Sequence, residues 1–302
     1  MKHIVSVSLG SSTRDHRVDI ELMGERFIIE RIGMDGSYEK FLNTVKSLDG
    51  KVDAIGMGGI SIYLTVKNRK YIIKSALPLM RAVLKTPIAD GSYLRNALEP
   101  YAVHYLQKNG IIDFSGKKVM VTCAVDRYAL SKAFTDLGCK ITCADLIFTL
   151  GISYSIRSLR GLDILAMVLA PAITKLPFDM LYPTGQREEA VENPKKFAKY
   201  YQEADIIAGD FNYIKRYMPD DLEGKIIVTN TVTKENIEEL RVRKVSTLVT
   251  TTPEFNSRSF GTNVIEAIML AILKKPVEQI SNEEYIATSE NLGFKPRVIQ
   301  FR

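Results

Sequence analysis

The first third of the chain alternates apolar segments with polar turns, which predicts an α/β unit. HIVSVSLG at residues 3–10 is typical of a buried strand, and Met23-Gly24-Glu25 separates two alternating segments of a hairpin. SYEKFLNTVKSL, at residues 37–48, has apolar residues at helical spacing. A long helical segment then runs to Gly110. We therefore predict an N-terminal α/β domain over residues 1–110.

From residue 116 the pattern becomes a regular alternation of strands and helices. The apolar strand segments are KVMVT, KITCA, DIIAG, KIIVT and STLVT, and helical segments such as RYALSKAFTDLG lie between them. Such alternation favours parallel pairing. The fold class that we predict is α/β: two α/β domains, the second a Rossmann-like doubly wound parallel sheet over residues 116–275, with an inserted helical segment at about 147–201. Residues 276–302 are expected to pack back on the first domain as a C-terminal tail.

Composition and charge narrow the class of partner. The chain has 302 residues, 46% hydrophobic and 25% charged, which suits a globular protein of two domains. Its net charge is +6, and the 41 basic residues are interleaved with 35 acidic ones. This balance favours a small anionic molecule and argues against nucleic acid as partner. The inserted helical segment is the expected surface for a homodimer.

The N-terminal sequence and the pattern of cysteines favour a cytoplasmic location. The N-terminus reads as a strand without the apolar region of a signal peptide. Charged residues and proline interrupt the most apolar segment, residues 159–185, so we expect no membrane span. Cys123, Cys139 and Cys143 form no CxxC pair, and we interpret them as buried reduced thiols without a metal.

Small polar residues follow the strands of the second unit, where an open parallel sheet binds its ligands. Asp145 ends the second strand of this unit and is placed like the carboxylate that binds the ribose of a dinucleotide, which favours NAD over NADP. The first turn has no glycine for close approach to a pyrophosphate, so Arg127 would have to bind phosphate instead. The unit therefore either binds NAD in an unusual way or binds no cofactor. The predicted cofactor-binding residues are Cys123, Ala124, Asp126, Arg127, Asp145, Thr231 and Thr251.

Two further segments are candidates for binding an anionic group. Arg258 precedes Gly261-Thr262-Asn263, where an apolar helix begins, and a helix N-terminus attracts anions. The loop SLGSSTRDHR near the N-terminus is rich in hydroxyl donors. The predicted substrate-binding residues are Ser8, Ser11, Ser12, Arg258 and Asn263. Helix capping and a solvated loop are the structural alternatives for these residues.

Several segments resemble the shikimate/quinate dehydrogenase family. ADGSYLRNALEP is similar to that family's aspartate segment, STLVTTTPEF to its NATPxGM strand, and FGTNVIEAIMLAI to its late helix. The family's glycine-rich cofactor turn and its catalytic-lysine motif have no clear counterpart. The resemblance implies an NAD(P)-dependent oxidoreductase that acts on a quinate-like or shikimate-like hydroxylated cyclic carboxylate, bound by the first domain. It assigns Asp90 as the catalytic carboxylate, with Lys74 as its partner.

Two other functions fit the same residues. One is a non-catalytic small-molecule or nucleotide sensor that keeps the two-domain cleft, which the glycine-less turn favours. The other is a phosphotransferase, because the order of elements up to DAIGMGGI is faintly similar to the N-terminal domain of acetate and sugar kinases. For Asp90, the structural alternative is a turn that starts the next helix.

Overall fold

The computed structural model describes most of the chain. It covers residues 1–67, 69–176, 196–252, 254–255 and 258–301, with the backbone alone at 254–255 and 258–259. In this part of the chain, no helix combines the length and the apolar character that a membrane span requires.

The first sheet has five strands in the order β2-β3-β1-β4-β7. Strand β1 is central and pairs in parallel with β3 and β4, while β2 is an antiparallel edge strand. The strands of this sheet are β1 (Lys2–Ser8), β2 (His16–Leu22), β3 (Glu25–Gly33), β4 (Ala54–Gly58) and β7 (Ile88–Ala89). All five residues of β4 are buried, because helices cover both faces of the sheet at its centre. The other edge strand, β7, pairs in parallel with β4 alone.

Short elements complete the first part of the chain. Its helices are α1 (Tyr38–Leu48) and α2 (Leu77–Ala82). A hairpin formed by β5 (Tyr63–Val66) and β6 (Arg69–Ile72) stands apart from the main sheet. The helix α3 (Ser92–Lys108) then leads to the second sheet and contains Pro100 without interruption.

The second sheet has the order β15-β12-β11-β10-β8-β9. Five strands are parallel and β15 is antiparallel to β12. The predicted fold class is confirmed: the chain forms two α/β units, and the second is a doubly wound parallel sheet. Its strands are β8 (Lys118–Val121), β9 (Lys140–Cys143), β10 (Ile206–Ala208), β11 (Ile226–Thr229), β12 (Thr247–Thr250) and β15 (Arg297–Gln300). From β8 the chain passes to β9 on one side, and it then crosses to β10 on the other side of β8. The position between β8 and β10, where the strand order reverses, is the usual ligand site of such sheets.

Helices alternate with these strands, as the sequence predicts. They are α4 (Tyr128–Asp136), α5 (Asp145–Leu150), α6 (Leu159–Ile173), α7 (Ala198–Glu203), α8 (Phe211–Arg216), α9 (Lys234–Val242), α10 (Thr262–Leu273) and α11 (Asn282–Asn291). Two strands, β13 (Glu254–Phe255) and β14 (Arg258–Ser259), form a small separate hairpin. The inserted helical segment includes α5, α6 and α7, and residues 177–195 within it lie outside the described residues.

The domain boundaries stay a prediction. Two elements near the end of the chain pack on the domain to which the prediction did not assign them. The helix α10 packs on β1, β4 and β7 of the first sheet, and its apolar residues belong to the core on that side. Within the predicted tail, α11 packs on α3, whereas β15 joins the second sheet beside β12. The last third of the chain therefore ties the two sheets together.

Candidate functional site

A cavity of about 640 Å³ lies along the edge strand β7. One wall comes from residues before α3, including Ile62, Tyr63, Ile88 and Asp90, and the opposite wall comes from α10 and the turn after it. Its size is that of a site for a small organic molecule. The cavity is open along β7 because this strand pairs on one side only.

Asp90 stands at one end of this cavity, directly after β7. Its Oδ2 accepts hydrogen bonds from the backbone N–H groups of Ile62 (2.5 Å) and Tyr63 (3.3 Å), and its Oδ1 accepts one from Ser92 (2.9 Å). The carboxylate thus fixes a loop and starts α3. Lys74 is exposed in the turn after β6, and no hydrogen bond or ion pair joins it to Asp90 within the described residues. The structure does not bring the predicted catalytic pair together.

Glu266 is a buried carboxyl that the sequence reasoning missed. It lies on α10, and its two oxygens accept hydrogen bonds from the backbone N–H groups of Gly91 (2.8 Å) and Leu94 (2.7 Å) at the start of α3. Burial, and after it the nearby charge of Asp90, raises the pKa of this carboxyl to about 8. The signal was present in the sequence: Glu266 is a single acid in the apolar segment TNVIEAIMLAI.

Two tyrosines form an aromatic corner next to Asp90. The rings of Tyr63 and Tyr93 stand at 84° with their centroids 5.7 Å apart. The hydroxyl of Tyr63 donates a hydrogen bond to Glu278 (3.0 Å), and the ammonium of Lys70 lies 4.7 Å from the ring centroid of Tyr63 and donates to the hydroxyl of Tyr93. This part of the cavity lining therefore combines carboxyl groups with tyrosine rings.

Lysines also line the cavity. Lys85 precedes β7, and Lys274 follows the last turn of α10. In the described ranges, neither of these two lysines takes part in an ion pair. The lining further includes Lys2, which pairs with Asp53 at 3.7 Å, and Lys275, which pairs with Glu284.

The turn at Gly91 positions both helices of the site. Gly91 has a φ of 85°, and a Cβ there would lie 2.7 Å from the backbone nitrogen of Asn263. We expect Gly91→Ala to lower the free energy of unfolding by about 2–4 kcal/mol, because left-handed strain adds to a clash with backbone. Gly110→Ala is the matched control: its φ is 65° but nothing lies within 4 Å. Equal losses in urea unfolding of the two variants would contradict the close contact.

Residues of the predicted dinucleotide site at the second sheet make contacts within the protein. Arg127, expected to bind phosphate, is only 1% exposed and pairs with Glu99 and, at 3.2 Å, with Asp210. A Cβ on Gly209 would collide with the hydroxyl of Thr122, so the backbone after β10 comes close to the end of β8. The physical reason is that a buried guanidinium must be neutralised by carboxylates, and these hold Arg127 inward.

The other residues predicted to bind the cofactor near this turn are buried or form hydrogen bonds within the protein. Asp126 accepts a hydrogen bond from Arg95 (2.9 Å), and Ala124 and Cys123 are buried; burial raises the pKa of the Cys123 thiol to about 11. Asp145, expected to face a ribose, instead accepts the backbone N–H of Val125 through Oδ1 (2.8 Å). Its Oδ2 is buried and has no hydrogen-bond partner in the described structure.

The two threonines of the predicted cofactor site are engaged within the protein. The hydroxyls of Thr231 and Thr252 are hydrogen-bonded at 3.0 Å. The backbone N–H of Thr251 donates to Thr229 (2.9 Å), and Thr251 is buried.

Three of the predicted substrate-binding residues, Ser8, Ser11 and Ser12, lie at or just after the carboxyl end of β1. The hydroxyl of Ser8 accepts a hydrogen bond from Arg31 (3.1 Å), and Ser11 and Ser12 lie in an exposed turn. The side chain of Asn263 donates to Ser6 (3.0 Å) and lies at the start of α10. The side chain of Arg258 lies outside the described residues.

Two family models match the chain. The first, "Domain of unknown function (DUF8754)", matches residues 93–301, and the second, "Domain of unknown function (DUF8753)", matches residues 3–90. The two matches meet at the turn that contains Gly91. A search of curated proteins gave no match.

Solved structures similar to the chain are mainly sugar-binding proteins. GanP, a glucose-galactose binding protein from Geobacillus stearothermophilus, has 11% identity and a TM-score of 0.42 over 99% of this chain and 97% of its own. An ABC transporter solute-binding protein from Agrobacterium vitis with bound allitol has 12% identity and a TM-score of 0.42 over 99% and 95%. A hetero-hexameric glutamate dehydrogenase from Thermus thermophilus has 13% identity and a TM-score of 0.42 over 97% and 73%. Similarity at this level does not indicate which ligand this chain binds.

These comparisons correct the sequence-based family assignment. The resemblance to shikimate/quinate dehydrogenases is wrong, because the matching family models are domains of unknown function and the similar structures are mainly sugar-binding proteins. The prediction of an oxidoreductase is wrong with it. Its motifs were short and shared only residue types, and Asp90 and Gly91 form the tight turn between β7 and α3.

Proposed function

The chain belongs to the family described as Domain of unknown function (DUF8754), and we propose that it binds a small polar molecule without transforming it. The observation that carries this proposal is the cavity of about 640 Å³, whose walls come from both family-model segments. Tyr63 and Asp90 belong to the first segment, and Tyr93, Glu266 and Leu270 to the second. A ligand in this position contacts both segments and stabilises one arrangement of them, which is the basis of a sensor.

The hydrogen bonds of the carboxyl groups in the cavity favour binding over catalysis. A general acid or base needs an atom that is free to exchange a proton with the substrate. Asp90 and Glu266 instead use both of their oxygens to accept backbone N–H groups. They keep the walls of the cavity in place.

The predicted preference for an anionic ligand fits two lysines in the cavity lining that have no ion-pair partner among the described residues. Lys85 and Lys274 supply two ammonium groups there, and a carboxylate or phosphate on the ligand would pair with them. NAD remains a candidate for the screen described next. A homodimer through residues 147–201 and a cytoplasmic location stay predictions.

The test is ligand-induced thermal stabilisation, followed by calorimetry. The screen includes sugars, polyols, amines, carboxylates, phosphates and NAD. A ligand at 100 times its dissociation constant stabilises the protein by about 2.7 kcal/mol. Ile88, half-buried on β7, lines the cavity, so Ile88→Trp is expected to weaken the ligand that is found by at least about tenfold, because the indole fills the site.

The control for this variant is Ile164→Trp. Ile164 is 58% exposed on α6, and the same substitution there leaves the cavity unchanged. We expect the dissociation constant of the Ile164→Trp protein to stay within about twofold of the parent. A ligand that binds equally well to the Ile88→Trp protein occupies another site, and that result would refute the cavity as the binding site.

A further inference from the structure

The loop that follows β1, residues 8–15, lies where the first sheet offers a ligand site. The chain leaves β1 toward β2 and β3 on one side and then crosses to β4 on the other side of β1. Parallel sheets bind ligands beyond the carboxyl ends of their strands, at the position where the strand order reverses in this way. No residue of this loop lines the cavity at β7, so the loop is a separate candidate.

Backbone contacts fix this loop in the absence of a ligand. The N–H of Leu9 donates a hydrogen bond to the carbonyl of Gly58 (3.0 Å), which ends β4. A Cβ on Gly33, the last residue of β3, would lie 2.6 Å from the backbone of Ser11, so the loop rests directly on that strand. The side chains of the loop therefore start from fixed backbone positions.

Two guanidinium groups converge over Gly10. Because Gly10 has no side chain, an Nη2 atom of Arg14 and one of Arg31 each come within 3.1 Å of the point where a Cβ would stand. Arg31 is held by Asp15 (2.8 Å) and by the carbonyl of Ser11 (3.0 Å). The guanidinium of Arg14, in contrast, has no hydrogen bond or ion pair within the described part of the chain. Two like charges this close to one point repel each other, and an anion between them offsets that repulsion.

The hydroxyl of Ser8 is the third group at this point. Its oxygen lies 3.4 Å from the same position over Gly10, and it accepts hydrogen bonds from the N–H of Gly10 (3.2 Å) and from Arg31 (3.1 Å). A hydroxyl has two acceptor lone pairs and one hydrogen to donate, so both lone pairs are in use. Ser8 is only 8% exposed, and its hydroxyl donates to no described residue. This buried donor needs an acceptor.

The carboxylates around the loop do not compensate Arg14. Asp15 pairs with Arg31 and accepts the backbone N–H of Gly33 (2.6 Å). Asp35 is exposed and accepts the backbone N–H of Ser12 (2.7 Å). Both acids thus hold the loop and Arg31 in place, and the charge of Arg14 is left without a contact to a described carboxylate.

We propose that an oxyanion, the phosphate or carboxylate group of a small molecule, binds over Gly10 between Arg14, Arg31 and Ser8. Arg14 supplies charge-assisted hydrogen bonds, the Ser8 hydroxyl donates its hydrogen, and Arg31 adds positive charge. This anion site is separate from the cavity at β7. The inference therefore goes beyond the proposed function and does not depend on it.

The test is an NMR chemical-shift titration of the full chain with inorganic phosphate and with acetate, followed at the amide of Gly10 at neutral pH and constant ionic strength. We expect at least one anion to bind there with a dissociation constant of about 10 mM or less. Tighter binding of phosphate identifies a phosphate group as the natural ligand group, and tighter binding of acetate identifies a carboxylate. If neither anion shifts the Gly10 amide, the inference is overturned.

Two variants test the groups that form the site. Arg14→Gln is expected to weaken the anion by at least about tenfold, because the uncompensated guanidinium is lost. Gly10→Ala should weaken it by about tenfold as well, since its Cβ displaces both guanidinium groups. Gly10 has no positive φ, and the displaced atoms are the ends of flexible side chains, so this variant is expected to fold.

Arg17→Gln is the matched control for charge. It removes the same charge from β2, where Arg17 is 62% exposed and pairs with Glu30, and it should change the affinity by less than about twofold. Equal losses in Arg14→Gln and Arg17→Gln would show a general attraction to positive charge and would refute the site. Unchanged binding in both Arg14→Gln and Gly10→Ala would refute it too.

The variant Ile88→Trp separates this site from the cavity, where Lys85 and Lys274 also attract anions. The affinity measured at Gly10 should stay within about twofold in Ile88→Trp. Loss of anion binding in Ile88→Trp, with Arg14→Gln unchanged, would place the anion in the cavity and would contradict this inference while supporting the proposed function. Loss in Arg14→Gln with Ile88→Trp unchanged supports the anion site, whatever the cavity binds.

Discussion

Replacing Arg127 with methionine is expected to lower the free energy of unfolding by about 3–5 kcal/mol. Arg127 is 1% exposed and its main partner Glu99 is 4% exposed, so the substitution leaves a carboxylate buried without its cation. Asp210, 28% exposed, loses its contact too but can turn to water. Urea unfolding monitored by circular dichroism measures the loss.

Two controls identify the buried charge as the cause. Arg17→Met removes an ion pair with Glu30 in which the arginine is 62% exposed, and it should cost less than about 1 kcal/mol. The double variant Arg127→Met with Glu99→Leu should recover much of the loss, because no unpaired charge remains inside. A double variant as unstable as Arg127→Met would show that packing of the side chain, and not charge, dominates.

Asp145→Asn is expected to stabilise the protein at pH 8 and to have little effect at pH 4. Burial raises the pKa of Asp145 to about 7, well above its usual value of 3.8. The folded state therefore binds the proton more tightly than the unfolded state does. As pH rises from about 4 to about 7, the parent loses stability, by at most about 4 kcal/mol for a difference of about three pKa units.

The comparison is made by urea unfolding at several pH values between 4 and 8. The amide oxygen of asparagine can keep the hydrogen bond from Val125, while the charge that must be buried at high pH is gone. Asp136→Asn, on the exposed side of α4, is the control and should shift stability by less than about 0.5 kcal/mol at every pH. A stability difference between parent and Asp145→Asn that does not grow with pH would refute the buried, protonated carboxyl.

Helix caps are features that neighbouring residues alone decide. Asp210 and Thr233 cap the helices that follow them, through hydrogen bonds to the N–H groups of Asn212 (3.0 Å) and Asn236 (3.2 Å). The structural alternative for Asp90 also holds, since its Oδ1 accepts the N–H of Ser92. Caps span two or three residues, so the sequence contains all that they need.

Functional assignments that depended on distant contacts could not be made in this way. The sequence suggested Arg127 as a free cation, but Glu99 and Asp210, 28 residues before it and 83 after it, enclose it. The sequence gave no reason to connect Glu266 with Gly91, which is 175 residues away. Tyr63, Tyr93 and Lys70 likewise meet only because the hairpin folds against α3.

The sequence by itself determined the two α/β units, because the period of apolar residues fixes each strand and helix, and regular alternation fixes parallel pairing. The tertiary structure alone decided the rest: that α10 completes the core of the first sheet, that β15 ends the second sheet, and that a cavity lined by acids and lysines lies between elements far apart in the chain. The physical reason is that periodicity records which face of an element is buried. It does not record which other element covers that face, and the site depends on that choice.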